Sequence, residues 1–227
     1  GVSVHTGTIP SKTLRETVLN LTGWRERGFY GQAYRVKRDI GDADLAQRLG
    51  QTLEHEIAVL EHQFARNGVQ TMRGAGRFLD PHRLAIAHDG GEDIVEAGKV
   101  LIATGTAPHR PPGIPFNGTS VLDSDDFIRQ PRVPRSLTVV GAGVIGLEYA
   151  TIFSALDVPV TLIEPRERLL EFMDGEVVDH LVYLMRDRGM VLRLGAEVSR
   201  VRFGAGGSPI CVLSDGREAA SELALFT

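Results

Sequence analysis

Cysteine is almost absent from this sequence of 227 residues, since Cys211 is the only one. A single thiol cannot form an internal disulfide or a cysteine-based metal cluster, and this fits a cytoplasmic protein. Cys211 lies in the apolar run 210–213, where a free cysteine usually behaves as a small hydrophobic residue. We therefore predict a buried strand position for it and no reactive thiol.

Basic runs and long apolar stretches are also missing. The formal net charge is -4, and no segment interleaves basic and aromatic residues as nucleic-acid-binding proteins do. No apolar stretch is long enough to cross a bilayer, and no signal-peptide pattern opens the chain. His55 and His62 are seven residues apart on a predicted helix, and no further ligand completes a metal site. We predict that nucleic acid, membrane and metal are not partners.

An initiator methionine is missing as well, because the sequence begins at Gly1. At the other end, Thr227 directly follows an apolar strand pattern. Both features indicate an interior fragment of a longer polypeptide.

What the sequence does contain is a strand, a glycine-rich turn and a helix in direct succession. The motif GAGVIG at 141–146 follows the apolar run 137–140. Gly141 would make a tight turn, Gly143 would let the backbone approach a pyrophosphate, and Gly146 would let the helix pack closely on the strand. The first helical residues, Val144 and Ile145, would direct free N–H groups at that phosphate. This order predicts a dinucleotide site.

A carboxylate at the end of the next predicted strand bears on the choice of nucleotide. Glu164 stands at the distance from the glycines where an acidic residue accepts hydrogen bonds from a ribose, and this favours NAD. Arg166 and Arg168 follow closely, and a guanidinium can neutralise the 2′-phosphate of NADP. Two interpretations remain open for these arginines. Either they let one site accept both nucleotides, or they are ordinary surface residues.

Helical and strand patterns alternate along the rest of the chain. Apolar residues at helical spacing predict helices near 9–21, 42–66, 143–156 and 174–188. Short apolar or alternating runs predict strands at 69–72, 76–78, 83–87, 93–96, 99–105, 137–140, 159–163, 191–194, 198–203, 210–213 and 223–226. We expect 99–105 to be a buried strand that ends in a glycine turn. The strand-helix-strand order from 137 to 194 predicts an α/β fold with a parallel sheet.

Four prolines between residues 107 and 115 mark the strongest shift of composition in the sequence. We place a domain boundary there, which gives domains of residues 1–114 and 115–227.

Three motifs in order resemble one family of enzymes. They are GTIPSK at 7–12, IATG at 102–105, and GAGVIGLEYA at 141–150. Together they are similar to the flavoprotein disulfide reductases, the dihydrolipoamide dehydrogenase-like family, and within it to the soluble pyridine nucleotide transhydrogenase branch. The resemblance covers essentially the whole chain. It implies three-layer Rossmann-like domains for FAD and NAD(P), each with a small antiparallel meander, and a homodimer for the full-length protein.

The resemblance also implies roles for particular residues. Lys12 would lie beside the flavin and pair with Glu148, where a cation stabilises negative charge on the reduced ring. Backbone near the FAD adenosine half would come from Gly74, Gly76, Thr104 and Gly105, although turn glycines and a strand end explain these residues equally well. Val198 matches a position that contacts the NAD adenosine, or it is a plain core residue.

The sequence departs from the thiol-dependent members of the family. Ser3 and Thr8 stand where dihydrolipoamide dehydrogenases have two cysteines, and a hydroxyl cannot undergo thiol-disulfide exchange. The resemblance then implies FAD-dependent hydride transfer between NADPH and NAD, which makes FAD, NAD and NADP the expected cofactors. Two alternatives remain open: a diaphorase or NADH oxidase that has lost its dithiol, and, for the fragment alone, a non-catalytic dinucleotide-binding module.

Overall fold

The structure, a computed structural model, describes residues 2–227. Backbone contacts divide them into two compact units, residues 54–106 and a larger unit made of residues 2–53 and 107–227. The second break, between Thr106 and Ala107, lies at the start of the proline-containing stretch. The domain boundary at residues 114 and 115 concerns the two dinucleotide-binding domains and stays a prediction.

Helices and strands alternate through most of the described residues. The helices are α1 (Val2–His5), α2 (Thr8–Leu21), α3 (Arg27–Tyr30), α4 (Asp42–Arg66), α5 (Ser124–Arg129), α6 (Val144–Ala155) and α7 (Gly175–Asp187), with a short 3₁₀ helix at Trp24–Glu26. The strands are β1 (Ala75–Asp80), β2 (Arg83–His88), β3 (Gly91–Glu96), β4 (Val121–Asp123), β5 (Leu137–Val140), β6 (Val160–Glu164), β7 (Val191–Leu194), β8 (Val198–Phe203), β9 (Pro209–Leu213), β10 (Glu218–Ala220) and β11 (Leu223–Phe226).

A five-stranded parallel sheet forms the centre of the larger unit. Its order is β4-β11-β5-β6-β7, and every neighbouring pair is parallel. Helix α6 connects β5 to β6, and α7 connects β6 to β7, so the chain makes two successive crossovers. The carboxyl ends of β5 and β6 therefore lie side by side, with Val140 paired to Ile163.

Alternate side chains of the sheet enter two different cores. On β11, Leu223 and Leu225 belong to a core that includes Tyr149 and Phe153 of α6. Ala224 and Phe226 of the same strand belong to a second core with residues of β9. Because successive strand residues point to opposite faces, the sheet lies between a helical layer and the antiparallel sheet β10-β9-β8. The predicted α/β class with a three-layer arrangement is confirmed.

The smaller unit contains an antiparallel meander of β1, β2 and β3. Asp89 and Gly90 form the turn between β2 and β3, as the sequence predicts, and His88 pairs with Gly91 beside it. The meander has three strands and not four, because the strand predicted at 69–72 is wrong. Those residues pair with no strand in the described part of the chain.

The buried strand predicted at 99–105 is also wrong. Residues 100–110 carry no strand, and Leu101 and Ile102 are 90% and 69% exposed. An apolar run is buried as a strand only when neighbouring strands supply its hydrogen bonds and packed helices or sheets cover its side chains. No strand within residues 2–227 lies beside this run.

None of the helices in the described chain has the length and apolar composition needed to cross a membrane.

Candidate functional site

The first glycine of the predicted motif occupies a backbone conformation that other residues rarely adopt. Gly141 follows β5 with a φ of 102°. A Cβ there would meet the backbone oxygen of Thr227, and it would lie 3.0 Å from the Thr227 hydroxyl oxygen. Positive φ and a close backbone approach both require glycine at this turn.

The other two glycines differ in the space around them. A Cβ on Gly146 would meet the backbone oxygen of Gly141, so α6 packs tightly against the turn. A Cβ on Gly143 would meet nothing within 4 Å, and Gly143 directly precedes α6. The turn is thus closely packed on one side and open at the start of the helix. This arrangement leaves room for a bound pyrophosphate.

The start of α6 is accessible as well as open. Val144 and Ile145 are 65% and 47% exposed, and no side chain caps the helix at Gly143. The first N–H groups of a helix lack partners inside the helix, and the helix dipole is positive at this end. These two residues therefore present donors to an anionic group.

Glu164, at the end of β6, is a buried carboxylate that forms a hydrogen bond with the glycine turn. It is 3% exposed, and its Oε2 accepts a hydrogen bond of 2.7 Å from the backbone N–H of Ala142. Its Oε1 accepts from the backbone N–H and the Nε of Arg166, at 3.1 and 2.7 Å. Burial alone would raise the pKa of Glu164, but these hydrogen bonds outweigh burial and hold the pKa below its ordinary value of 4.5.

Arg166 is the main side-chain partner of this carboxylate. Its guanidinium contacts both oxygens of Glu164 while about half of the side chain stays exposed. The sequence brings these two residues near each other but does not show that they pair. A ribose hydroxyl that bonds to Glu164 must share the carboxylate with Arg166 or displace it. The nucleotide contacts of both residues stay predictions.

Lys12 and Glu148 form an ion pair between two helices of the larger unit. Lys12, on α2, places its Nζ 2.6 Å from Oε1 of Glu148 on α6. The lysine side chain is 58% exposed and the glutamate side chain 16%. Their position beside a flavin stays a prediction.

A cavity of about 430 Å³ surrounds this ion pair. The residues that line it come from the α1–α2 junction, from the start of α5 and from the start of α6: Thr6, Gly7, Thr8, Ser11, Lys12, Ser124, Val144, Ile145, Glu148 and Tyr149. Burial raises the pKa of the Tyr149 phenol, so that group stays protonated. The start of α6 thus borders both the glycine turn and the cavity.

The four residues predicted to contact the FAD adenosine belong to the smaller unit. A Cβ on Gly74 would lie 2.5 Å from the backbone oxygen of Ala87, whereas Gly76 has open space. Gly105 has a φ of 76°, and Thr104 precedes it in exposed chain. Their contacts with an FAD adenosine stay predictions.

Val198 begins β8 and pairs with Leu213 in the larger unit. It packs, partly buried, against the core that contains Cys211. Its contact with an NAD adenosine stays a prediction. Cys211 itself is fully buried, as the sequence predicts, and burial raises the pKa of its thiol to about 12.

Residues 2–227 contain no cluster of three or more His, Cys, Asp and Glu side chains suited to a metal ion.

Three lining residues were not identified from the sequence, namely Thr6, Ser124 and Tyr149. Ser124 begins a helix that the sequence pattern does not predict, and it carries no local signal of its own. Tyr149 follows Glu148 in the motif at 141–150, but the sequence predicts no role in a site for it. An aromatic residue at helical spacing gives no sign that it also borders a cavity.

Comparisons with known proteins identify the family. The family model for pyridine nucleotide-disulphide oxidoreductases matches residues 1–227. The chain belongs to this family.

Curated relatives carry a more specific name. A protein of Mycobacterium bovis named soluble pyridine nucleotide transhydrogenase is 43% identical over the whole chain and 49% of its own length. A protein of the same name from Colwellia psychrerythraea is 36% identical over the whole chain and 48% of its own length. The chain spans about half the length of the curated relatives it matches.

Solved structures share the fold. LpdA from Mycobacterium tuberculosis superposes with a TM-score of 0.88 at 28% identity, covering 100% of this chain and 50% of that one. The flavoprotein disulfide reductase RclA from Escherichia coli gives a TM-score of 0.81 at 23% identity, covering 100% of this chain and 47% of RclA.

Proposed function

We propose that this chain is part of an enzyme that transfers hydride between NADPH and NAD with FAD as the intermediate carrier. One observation supports this most directly. The cavity at the Lys12–Glu148 ion pair is bordered by the hydroxyl of Thr8, where thiol-dependent family members have a cysteine. The single thiol, Cys211, is buried in a different core. The name of the relatives at 43% and 36% identity agrees with a reaction that needs no thiol.

The residues predicted from the sequence would hold the two cofactors. In this proposal Gly141, Gly143 and the start of α6 bind the pyrophosphate of the exchangeable nucleotide, and Val198 contacts its adenosine. Gly74, Gly76, Thr104 and Gly105 supply backbone to the FAD adenosine. When bound, the isoalloxazine ring supplies the two-electron chemistry that protein side chains lack.

Lys12 has the arrangement expected of a group that stabilises negative charge. Its Nζ is held by Glu148, whose side chain is mostly buried and sits on a helix packed into the core. A cation fixed in advance loses little free energy to reorganisation when charge develops beside it. We propose that Lys12 stabilises the negative charge that forms on the reduced ring and that Glu148 holds Lys12 in place.

Glu164 and Arg166 would allow one site to accept either nucleotide. The carboxylate accepts from the ribose hydroxyls of NAD, whereas the half-exposed guanidinium is free to turn toward the 2′-phosphate of NADP. In this proposal Arg166 exchanges Glu164 for the 2′-phosphate, and Glu164 keeps the backbone N–H groups of Ala142 and Arg166 as hydrogen-bond donors.

The remaining assignments extend to the longer protein. We propose that residues 1–114 form part of an FAD domain and that 115–227 form most of an NAD(P) domain. The active form would be a cytoplasmic homodimer whose partners are nicotinamide nucleotides.

The experiment is anaerobic turnover of the FAD-loaded protein with NADPH and thio-NAD⁺, followed by the absorbance of reduced thio-NAD. We expect steady reduction of thio-NAD⁺ that depends on both NADPH and flavin. Good dye reduction without thio-NAD⁺ reduction would indicate a diaphorase instead. A protein that binds NADH but takes up no FAD would be a non-catalytic module.

A further inference from the structure

A second cavity, which is polar and has a volume of about 590 Å³, lies in the larger unit. It is separate from the residues that the proposed function uses. Its walls come from the Trp24–Tyr30 segment, from the end of α6 and from the end of α7. The lining includes Trp24, Arg27, Ser154, Asp157, Asp187 and Arg188. No residue of the Lys12–Glu148 cavity or of the glycine turn takes part.

Arg27 is a buried cation with incomplete partners. Its side chain is only 6% exposed, and its Nη2 makes no hydrogen bond within residues 2–227. Its Nε donates to the backbone oxygen of Thr22 at 3.3 Å. Its Nη1 lies 3.9 Å from Asp157 Oδ1, beyond hydrogen-bond distance. Burial, followed by the charge of Arg35, lowers the pKa of Arg27.

Arg188 brings a second guanidinium to the same place. Its Cζ lies 3.8 Å from the centroid of the Trp24 ring, and the Cζ of Arg27 lies 4.8 Å from that centroid. Arg188 makes no ion pair with another described residue, and partial burial lowers its pKa. Arg27 is thus removed from water without a close carboxylate, whereas Arg188 stays exposed beside the indole ring. A buried guanidinium with an unpartnered donor is costly unless an anion completes it.

Acidic groups at this cavity do not complete it. Asp157 Oδ2 is bound by Arg35 at 2.6 Å, which leaves Asp157 as a distant partner for Arg27. Asp187 lies beside Arg188 in sequence and makes no ion pair with it. Two guanidinium groups and two carboxylates therefore line the cavity, and one of these carboxylates, Asp157, is already paired with Arg35 outside the lining.

We propose that this cavity binds a phosphate group, either as inorganic phosphate or as the phosphate of a small monoester, on Arg27 and Arg188. Guanidinium groups match phosphate oxygens with paired donors, and the unpartnered Nη2 of Arg27 would gain an acceptor. The volume exceeds what a free phosphate ion fills, so the carbon skeleton of a monoester also fits.

The test uses the intrinsic fluorescence of Trp24, which is the only tryptophan in the chain. The protein is titrated with inorganic phosphate and, separately, with glycerol 3-phosphate, while chloride keeps the ionic strength constant. We expect a saturable change of Trp24 emission at about millimolar phosphate or below. Tighter binding of glycerol 3-phosphate identifies a monoester as the better ligand, and tighter binding of inorganic phosphate identifies the free ion.

Three variants link the signal to the cavity. Arg188→Gln is expected to weaken phosphate binding about tenfold or more, because a charge-assisted contact is lost. Arg186→Gln, on the same helix and outside the cavity lining, is the matched control and is expected to leave the affinity unchanged. Asp157→Asn removes a competing carboxylate, and Asn also tolerates the φ of 62° at this position. It is expected to tighten phosphate binding severalfold.

Asp157→Asn keeps the test decisive even if changes at the arginines disturb folding, because a gain of affinity requires a folded cavity. Emission that changes linearly with phosphate, or equally with chloride, would overturn the proposal. Equal affinities for phosphate in the wild type, Arg188→Gln and Asp157→Asn would overturn it as well.

Discussion

The carboxylate of Glu164 accepts a hydrogen bond of 2.7 Å from the backbone N–H of Ala142, and this bond joins the end of β6 to the glycine turn after β5. The sequence suggests a nucleotide contact for Glu164. The structure adds that Glu164 holds the turn in shape before any nucleotide arrives.

Glu164→Gln should therefore change stability as a function of pH. The pKa of Glu164 is held below 4.5 in the folded protein, so its stabilising contribution is present above about pH 4.5 and is lost as pH falls through the folded pKa. We expect the variant to be less stable at pH 7 by about 1–3 kcal/mol and to approach the wild type in acid. Urea unfolding at pH 7 and at about pH 3 measures this. Glu167→Gln, an exposed neighbour, is the control, and equal losses at both pH values would contradict the assignment.

The motif glycines offer a matched pair of substitutions with different outcomes. Gly146→Ala places a Cβ against the backbone oxygen of Gly141, and we expect it to destabilise the protein by about 3 kcal/mol. Gly143→Ala meets open space and should cost about 1 kcal/mol or less. It should nevertheless weaken NADH binding about tenfold or more, because its methyl group occupies the space for the pyrophosphate. Urea unfolding and NADH titration separate the two effects. Unchanged NADH affinity in Gly143→Ala would argue against the predicted phosphate site.

Lys12→Met tests the ion pair with Glu148. Because the lysine side chain is 58% exposed, the pair contributes at most about 1 kcal/mol to stability. We expect a folded protein of nearly wild-type stability in which NADPH reduces bound FAD at least about tenfold more slowly, since a stabilising cation is lost. Stopped-flow absorbance of the flavin provides the measurement.

Lys37→Met is the control for that experiment. Lys37 forms an ion pair of the same 2.6 Å length with Asp44, away from the cavity lining. It should leave flavin reduction unchanged. Equal rates in Lys12→Met and the wild type would remove Lys12 from the proposed chemistry.

Cys211 should be chemically inert in the folded protein. Its side chain is fully buried, and with a pKa of about 12 only about one thiol in ten thousand is ionised at pH 8. A chromogenic disulfide reagent should label it only after unfolding. Ser208→Cys, in an exposed hairpin turn, should react at once and serves as the positive control. Rapid labelling of native Cys211 would show that this core opens readily.

Local pattern was enough to predict the strand, the glycine turn and the helix of the candidate dinucleotide site. The strand, the glycines, α6, β6 and Glu164 follow one another within residues 137–164, so spacing alone carries the information. Glycine chemistry also predicts the separate roles of Gly141 and Gly146, since each role depends on the backbone nearby.

Features that depend on distant neighbours could not be predicted in this way. The apolar run at 99–105 has the composition of a buried strand, but burial depends on strands that the run itself does not specify. Similarly, Arg27 and Arg188 meet at Trp24 only after α3 and α7 are in place. A lone arginine on a helix gives no signal that it becomes buried without a partner. The hydrogen bonds that Glu164 makes with Ala142 and Arg166 likewise became apparent only in the folded structure.

The position of β11 has a consequence for how the protein folds. β4 and β5 are the first two strands of the parallel sheet in sequence order. They are not neighbours in the sheet, because β11 lies between them and pairs with both. Leu223 pairs with Leu137 although a long segment separates them in the sequence. Closing such a loop costs conformational entropy before the contacts between the two strands can form. Thr227, directly after β11, also packs on Gly141. The glycine turn therefore reaches its final shape late, and during synthesis a ribosome must release β11 before the predicted nucleotide site can form.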